Sequence, residues 1–484
     1  MRYTEIAKAA PFEGAPRITT PRLFGASPKK ELILRIGAIG KRPIKYSAYG
    51  LPSGLTLTGN VIRGAVENEG EYEIKLACEN ELGSDERVVT LKIKKDAVEL
   101  TPLMGFTSWN AFGFEVSEAD MRYAAKRLSE LGILEYGYNH INIDSGWQGE
   151  YGGKYDAITA NEKFPDMKKF CSDMHACGYR CGIYSTPMLY AFGTSMKYRP
   201  LPLGCTQGEA DDRFGDEHMG IGKIRKEKNN ALQWADWGFD YLKYDWRPCD
   251  PINADLMREE LIKTDRDFGF CVSVRARPEY HKYWEKYCNS YRCNPDSMGN
   301  WDNLMEIYRS YFDFIDYQNQ GHYFDLDMLD LGRCTLFEKL GFDKEKNFGY
   351  TEDEQIVLYS MRAFLSSPIQ ISETLEDVDG FRLSVYCNEE IIDINQDSEF
   401  STAIPVTVIE KDKTVIHVYK KKLSGGDTAY AIFNLGESCE RVNIYLDSTS
   451  RVRDVWAKRD LDATAKISLE AMPHTVRILR CSEL

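Results

Sequence analysis

Three regions of the chain differ in the spacing of their apolar positions. In the first ninety-odd residues, short runs alternate apolar with polar side chains, and clusters such as Leu51-Pro-Ser-Gly54 and Thr58-Gly-Asn60 separate them. Alternation with a period of two is typical of strands that bury one face, so this region predicts a small antiparallel β-sandwich. Its predicted strands include 31–36, 45–49, 71–77 and 88–93.

The middle region alternates apolar runs with stretches of helical period. In 117–131, Met121, Ala125 and Leu128 fall on one face, and Ser117 with Asp120 resembles a capping box. Eight such strands with about eight helices between them predict a (β/α)8 TIM barrel, and no Gly-rich phosphate loop marks a doubly wound sheet. The predicted barrel strands are 103–109, 138–144, 179–185, 239–245, 268–274, 290–293, 314–318 and 366–371.

The last region returns to short strands. We predict them at 403–408, 414–420, 428–433, 442–445, 467–469 and 475–479. The whole chain is therefore predicted to have an α/β fold in three domains. These are an Ig-like β-sandwich at 1–97, a (β/α)8 catalytic barrel at 98–397 and a C-terminal antiparallel β-sandwich at 398–484.

Composition narrows the classes of function. The chain has 484 residues, and its 61 Lys and Arg against 75 Asp and Glu give a net charge of -14, which argues against nucleic-acid binding. No run approaches the roughly 20 apolar residues of a membrane span. The start, MRYTEIAKAAPFEG, has no apolar stretch of signal-peptide length, which favours a cytoplasmic protein unless a leader has been removed. The 13 Cys are scattered without a CxxC pair, which argues against a disulfide framework or zinc ribbon.

Candidate chemistry lies where the predicted barrel strands end, because barrel enzymes carry their catalytic residues there. Carboxylates and aromatic residues dominate these positions, and no His cluster with metal spacing and no nucleophile-elbow Ser accompanies them. We therefore expect no metal and no cofactor. Paired carboxylates beside aromatic platforms are what cleavage of a glycosidic bond requires. The strand-end residues include Trp109, Asp144, Ser145, Tyr184, Lys243, Asp245, Arg275, Arg292, Asp296, Asp325 and Asp327.

Several motifs in chain order resemble one enzyme family. The segments TPLMGFTSWNAFG, INIDSGWQG, WADWGFDYLKYDW, YRCNPD and GHYFDLDMLDLG are similar to glycoside hydrolase family 27, the family of α-galactosidases and α-N-acetylgalactosaminidases. The resemblance covers about residues 99–400. It implies a retaining, exo-acting α-glycoside hydrolase with a small carbohydrate substrate, and it leaves homo-oligomer formation open. Near the start, LPSGLTLTGNVIRG resembles the Ig-like modules attached to many carbohydrate enzymes.

The resemblance also implies roles for single residues. Asp245 matches the catalytic nucleophile and Asp296 the acid/base, with Arg292 and Lys243 holding sugar hydroxyls. We expect the adjacent Lys243 to keep Asp245 ionised, and we expect the environment of Asp296 to raise its pKa. The other implied substrate-binding positions are Trp109, Asp144, Tyr184, Asp327 and Met328.

Three positions depart from the family pattern. A paired Asp-Asp is replaced by Asp144-Ser145, the end of strand five brings Arg275 and Arg277, and the later loop reads Tyr323-Phe-Asp-Leu-Asp327. One lost acid and added bases suit a sugar with an anionic or strongly accepting group, unless the arginines only pair with carboxylates such as Glu279.

The alternatives are therefore of two kinds. In the first, the same catalytic residues act on N-acetylgalactosamine, β-L-arabinopyranose, an isomaltose unit or an acidic sugar. In the second, the chain is a catalytically silent carbohydrate-binding protein. Retention of both Asp245 and Asp296 argues against the silent protein.

Overall fold

A parallel eight-stranded sheet forms the centre of the molecule. The computed structural model describes residues 2–9, 12–192, 201–211, 220–273, 275–339 and 349–484. The strands lie in the order seven, six, five, four, three, two, one, eight, and an isolated parallel bridge between Leu329 and Ile371 joins the two ends. The predicted TIM-type barrel is confirmed. Its strands, one to eight, are Met104–Thr107, His140–Ile143, Arg180–Ser185, Tyr241–Asp245, Gly269–Ser273, Ser290–Tyr291, Tyr323–Phe324 and Ile369–Ile371.

Helices surround the sheet and begin where the sequence places their caps. The Ser117 hydroxyl accepts from the Asp120 N–H, and Asp120 accepts from the Ser117 N–H, so the predicted capping box is present. Thr351 and Glu354 start a later helix in the same way. The helices are Trp109–Phe112, Glu118–Glu130, Met167–Ala176, Glu227–Trp237, Pro251–Ile262, His281–Tyr287, Trp301–Ser310, Thr335–Lys339, Glu352–Phe364, Gly380–Tyr386 and Glu389–Asn395.

Strand seven is not where the sequence predicts it. Residues 314–318 are predicted as a strand, but Ile315–Tyr317 form a 3-10 turn, and strand seven is the later pair Tyr323–Phe324. The Phe314 ring stacks on the Phe324 ring with centroids 5.5 Å apart, so the aromatic run packs against the strand instead of joining the sheet. A two-residue strand is too short to show a period. Residue 274 of predicted strand five lies outside the described residues.

The N-terminal module is a β-sandwich with one core. A four-stranded and a three-stranded sheet share buried side chains, among them Leu34, Ile62 and Leu91. Leu23–Ala26 runs parallel to Gly83–Ile93, so the expectation of a purely antiparallel module is wrong, since alternation does not encode strand direction. The likeness to Ig-like modules stays a prediction. The strands are Arg17–Ile18, Leu23–Ala26, Leu32–Arg35, Ala38–Ile39, Lys45–Tyr49, Leu55–Thr58, Val61–Gly64, Gly70–Asn80 and Gly83–Ile93.

The C-terminal module is a six-stranded antiparallel sheet, as predicted. One face, with Phe433 and Trp456, packs into the barrel core, and the other buries a separate cluster that includes Val418 and Ile444. The Trp456 indole N–H donates to the Ser360 hydroxyl at 2.9 Å, which ties the sheet to a barrel helix. The strands are Ile404–Lys411, Thr414–Lys422, Thr428–Asn434, Glu440–Asp454, Arg459–Ala471 and Thr475–Glu483.

Short elements extend beyond the three modules. The hairpin of Gln148–Gly152 and Ala157–Ala160 follows strand two, and a second, of Thr206–Ala210 and Gly222–Arg225, follows strand three. Residues 2–9 reach the barrel, where the Thr4 N–H donates to Asp353 Oδ1 at 2.7 Å. The boundaries at 97/98 and 397/398 stay predictions. Among the described helices, none combines the length and the apolar character needed to cross a membrane.

Candidate active site

A cleft of about 480 Å³ lies at the carboxyl ends of the barrel strands. The structure brings together the two candidate catalytic residues and the nine candidate substrate-binding residues, whereas Asp325, another strand-end candidate, lies outside the cleft and accepts from the Asp327 N–H. The residues brought together are Trp109, Asp144, Ser145, Tyr184, Lys243, Asp245, Arg275, Arg292, Asp296, Asp327 and Met328. The cleft also contains residues that the sequence analysis missed, namely Phe192, Arg247, Pro295, Met298, Asn303 and Glu306.

Asp245 ends strand four and has its two carboxylate oxygens in different surroundings. The Tyr184 hydroxyl, from the adjacent strand three, donates to Oδ2 at 3.0 Å. Oδ1 has no hydrogen-bond partner among the described residues. The parallel pairing of strands three and four sets Tyr184 opposite Lys243, two residues before Asp245, so the sheet fixes this arrangement. Tyr184 therefore orients Oδ2, and Oδ1 is not held by a hydrogen bond from the described residues.

Lys243 and Asp144 form a buried ion pair on the floor of the cleft. Lys243 Nζ donates to Asp144 Oδ2 at 2.8 Å, and the Ser145 N–H donates to Asp144 Oδ1 at 2.8 Å. Burial opposes the charge of Lys243, but the nearby Asp144 outweighs it and raises the pKa of the amine. The pair offers a donor and an acceptor to a polyhydroxylated ligand.

Arg292, just after strand six, bridges two carboxylates. Its Nη1 donates to Asp327 Oδ1 at 2.9 Å, and its Nη2 donates to Asp296 Oδ1. The guanidinium is buried, whereas the side chain of Asp296 is 63% exposed at the mouth of the cleft. Asp327 also accepts from the Ser297 N–H at 2.7 Å. The bridge holds the Asp296 loop against the loop that follows strand seven.

The pKa shifts of the two candidate catalytic carboxyls have the opposite directions to those expected from the sequence. Burial raises the pKa of Asp245 to about 6, because the favourable charge of Lys243 does not offset desolvation. Desolvation would also raise the pKa of Asp296, but the Arg292 guanidinium outweighs it and lowers that pKa below its usual value. In the unliganded site Asp245 therefore binds a proton more readily than Asp296 does.

The positions that depart from the family pattern have distinct surroundings. Ser145 is buried, and its hydroxyl has no hydrogen-bond partner among the described residues. Arg275 lines the cleft with a left-handed backbone, φ 59°, which is uncommon for a side chain of this size. Arg277 does not line the cleft, and its guanidinium lies 3.8 Å from Glu279. The expected surface pairing with Glu279 thus holds for Arg277 only.

Trp109 begins the short helix after strand one. Its ring meets Phe114 edge-on with centroids 4.9 Å apart, and it is only partly buried while lining the cleft. A partly buried indole that packs against Phe114 can provide a flat apolar wall for a sugar ring.

Arg362 supports the loop that carries Asp327 and Met328. This fully buried guanidinium donates to the carbonyl oxygens of Leu326, Asp327 and Met328, at 2.9, 3.1 and 2.6 Å. The contacts hold Asp327 at φ 66°, in the left-handed region. In the sequence it is one arginine within the apolar run of the helix Glu352–Phe364, and this position does not indicate its partners.

One buried group of the described residues has side chains that could bind a metal. His175, Cys181 and Asp240 have ligand atoms within 4.8 Å of one another. Asp240 already accepts from His175 Nε2 and the Cys181 N–H, both at 2.8 Å, and from Arg266. Cys181 and Asp240 stand at the beginnings of strands three and four, at the opposite end of the barrel from the cleft. These bonds satisfy the group as a structural hydrogen-bond network.

Comparisons with known proteins agree with this architecture. The family model described as "Alpha galactosidase A" matches residues 218–397, and that of the "Alpha galactosidase C-terminal beta sandwich domain" matches 413–481. α-Galactosidase A of Cellvibrio japonicus is 26% identical over 423 residues, which cover 80% of this chain and 94% of the relative.

Two solved structures show how far the similarity extends. A putative α-galactosidase/melibiase from Bacteroides fragilis has 26% identity and a TM-score of 0.83, covering 97% of this chain and 98% of that one. A GH27 β-L-arabinopyranosidase from Geobacillus stearothermophilus, 20% identical, shares the fold with a TM-score of 0.67, over 79% of this chain and 97% of that one.

A TIM-type barrel with a cleft lined by carboxylates, an antiparallel C-terminal sheet and these matches define a glycoside hydrolase of the α-galactosidase type. These matches support the resemblance to glycoside hydrolase family 27.

Proposed function

We propose that the protein is a retaining exo-α-galactosidase in which Asp245 is the nucleophile and Asp296 the acid/base. The observation that supports this most strongly is the arrangement at Asp245. Asp245 lines the cleft at the end of strand four, Tyr184 orients its Oδ2, and its Oδ1 is buried without a hydrogen-bond partner among the described residues. A carboxylate that a neighbour holds in one orientation and no cation pairs with directly suits attack on an anomeric carbon.

The reaction then takes two displacements. A carboxylate oxygen of Asp245 attacks the anomeric carbon, the bond from that carbon to the glycosidic oxygen breaks, and Asp296 gives its proton to the departing oxygen. Water next attacks the same carbon, Asp296 takes the proton of the water, and the ester bond to Asp245 breaks. Two inversions at one carbon give net retention.

Sugar binding would bring Asp245 and Asp296 to the protonation states that the two displacements require. In the free site Arg292 favours the ionised form of Asp296, and Asp245 is the more readily protonated of the two carboxyls. A sugar hydroxyl that accepts from Arg292 weakens its hold on Asp296, and the pKa of Asp296 then rises toward the protonated form that a general acid needs. The Lys243–Asp144 pair is placed to bind further hydroxyls, and Trp109 to face the ring.

A second candidate is the same chemistry on another sugar. It is favoured by Ser145, whose buried, unpartnered hydroxyl stands where the family pattern has a second carboxylate. A carboxylate accepts two charge-assisted hydrogen bonds from hydroxyls, whereas a serine can accept only neutral ones. Ordinary galactose would then be bound less tightly.

The test follows the anomeric configuration of the first product from an aryl α-galactoside by proton NMR. We expect release of α-galactose before mutarotation, and covalent labelling of Asp245 by an activated fluorosugar. Asp245→Asn should lose turnover while keeping the wild-type thermal transition. Inversion of configuration, or a label on another carboxylate, would contradict the assignment.

A further inference from the structure

The cleft contains two arginines, Arg247 and Arg275, that form no ion pair with a carboxylate of the described residues. Of its four cations, Lys243 pairs with Asp144, and Arg292 pairs with Asp296 and Asp327. Arg247 and Arg275 form no ion pair with any carboxylate in the described part of the chain. Charges inside a cleft are usually paired or face a ligand of opposite sign.

These two arginines follow the carboxyl ends of adjacent strands. Asp245 and Ser273 are direct partners in the parallel pairing of strands four and five, and Arg247 and Arg275 each stand two residues further on. The Trp246 N–H donates to the Ser273 carbonyl at 2.8 Å, which carries the pairing one residue beyond strand four. Neighbouring parallel strands lie about 4.8 Å apart, so the two residues follow adjacent strand ends, and both line the cleft.

Each arginine is also positioned by its own surroundings. The Arg247 guanidinium lies over the Phe192 ring, 4.8 Å from its centroid, and its Nε is buried without a hydrogen-bond partner among the described residues. The backbone of Arg275 is left-handed, and the next N–H, of Ala276, donates to the Arg292 carbonyl at 2.7 Å. Unusual backbone geometry of this kind persists where the surrounding structure imposes it, and it concentrates at functional sites.

We propose that Arg247 and Arg275 form a subsite for an anionic group, a carboxylate or a sulfate, carried by the glycoside that this enzyme cleaves. The inference rests on the proposed function and names its substrate class. Two adjacent planar guanidinium groups can bind the oxygens of such a group with several charge-assisted hydrogen bonds. Ser145, which removes one carboxylate from the same cleft, lowers the repulsion that an anionic substrate meets.

The location of Arg247 connects this subsite to catalysis. Arg247 is one of the cations that lower the pKa of Asp296, so it lies close to the proposed acid/base. Asp296 meets the glycosidic oxygen, and the anionic group therefore belongs either to the cleaved sugar near that oxygen or to the leaving group. A bound anion would offset the field of Arg247 and favour protonation of Asp296.

Two matched substrate pairs distinguish the two sources. An aryl α-galacturonide against the aryl α-galactoside tests an anion on the cleaved sugar, and melibionate against melibiose tests an anion on the leaving group. We expect wild-type kcat/KM to favour the anionic member of one pair by about tenfold or more, and that preference to shrink as ionic strength rises. Arg247→Gln and Arg275→Gln should each reduce the anionic-to-neutral ratio by about ten- to a hundredfold. Arg277→Gln is the matched control and should leave the ratio unchanged, because Arg277 lies outside the cleft.

The readouts separate this inference from the proposed function. Turnover of neutral α-galactosides with no charge preference in either pair, or a preference that survives both substitutions, would overturn the anionic subsite alone. Calorimetry of melibionate and galacturonate binding to Asp245→Asn protein tests the subsite without turnover. Tighter binding of an anion than of its neutral partner, abolished by Arg247→Gln, supports the subsite even if no α-galactoside is hydrolysed, an outcome that would overturn only the proposed function.

Discussion

The Tyr184 hydroxyl donates to Asp245 Oδ2 at 3.0 Å, and this contact distinguishes the two oxygens of the candidate nucleophile. Tyr184 is almost fully buried in strand three, and the pairing of that strand with strand four sets the position of its ring. The hydroxyl stabilises the ionised form of Asp245, and so does the charge of Lys243, but both together only limit the effect of burial on its pKa. The predictions below follow from this balance.

The pH dependence of wild-type kcat/KM should be a bell with its basic limb near pH 6. Burial raises the pKa of Asp245 to about 6, and Arg292 lowers that of Asp296. At a pH between these two pKa values the pair of carboxyls therefore binds one proton. The reactive form carries one proton, which is lost above about pH 6, and kcat/KM should then fall about tenfold per pH unit. Steady-state kinetics on an aryl α-galactoside checks this. Constant kcat/KM up to pH 8 would show that the pair titrates differently.

Tyr184→Phe should move that basic limb to higher pH and slow the reaction. The variant removes a donor to the ionised carboxylate, which raises the pKa of Asp245 further. Loss of a hydrogen bond to a charged group should also cost about ten- to a hundredfold in kcat/KM. The pH profile is the decisive measurement, because a purely structural role of the ring would lower the rate without moving the limb. Tyr151→Phe, whose hydroxyl donates instead to the Gly204 carbonyl, is the control for loss of a buried phenol.

Much of the site could be predicted from the sequence because it follows from strand ends. Asp144, Tyr184 and Asp245 close or follow apolar strands, and parallel strands bring their carboxyl ends to one edge. Arg247 was missed since it stands two residues beyond a strand, in an irregular segment with no periodic signal. The role of Arg362 could not be predicted either, because its acceptors are backbone carbonyls more than thirty residues away.

The predicted directions of the pKa shifts of Asp245 and Asp296 were wrong for a related reason. Sequence adjacency suggests that Lys243 serves Asp245, but in the folded protein Lys243 donates to Asp144, 99 residues away in the chain. Arg292 likewise contacts Asp296 directly, through a four-residue loop whose conformation the sequence does not encode. A pKa depends on burial and on distances between side chains, and both are fixed only by the tertiary fold.

Asp296→Ala should harm substrates with poor leaving groups far more than those with good ones. Protonation of the departing oxygen matters only when that oxygen is basic, and general acid catalysis is worth about a hundred- to ten-thousandfold. We therefore expect a steep dependence of kcat/KM on leaving-group pKa in the variant and a shallow one in the wild type. Azide should partly restore turnover of activated aryl glycosides, because a small anion replaces the missing base. Equal losses across all leaving groups would assign Asp296 to binding alone.

Ser145→Asp should raise activity on plain aryl α-galactosides. The Ser145 hydroxyl is buried beside Asp144 and has no hydrogen-bond partner among the described residues, so a ligand hydroxyl would meet a neutral group there. An aspartate would offer a charge-assisted hydrogen bond worth about 1.5–3 kcal/mol, or roughly ten- to a hundredfold in kcat/KM.

The new carboxylate would also be repelled by Asp144, and this repulsion determines the choice of control variant. It would stand next to Asp144, and like charges at this distance raise one another's pKa, so the gain should appear only where Lys243 stays paired and pH is high enough to ionise both acids. Ser145→Asn, similar in size but uncharged, separates charge from volume and should give no comparable gain. If the wild type already cleaves aryl α-galactosides as fast as ordinary relatives and Ser145→Asp adds nothing, Ser145 does not weaken galactose binding. The site would then be tuned to galactose through its other contacts.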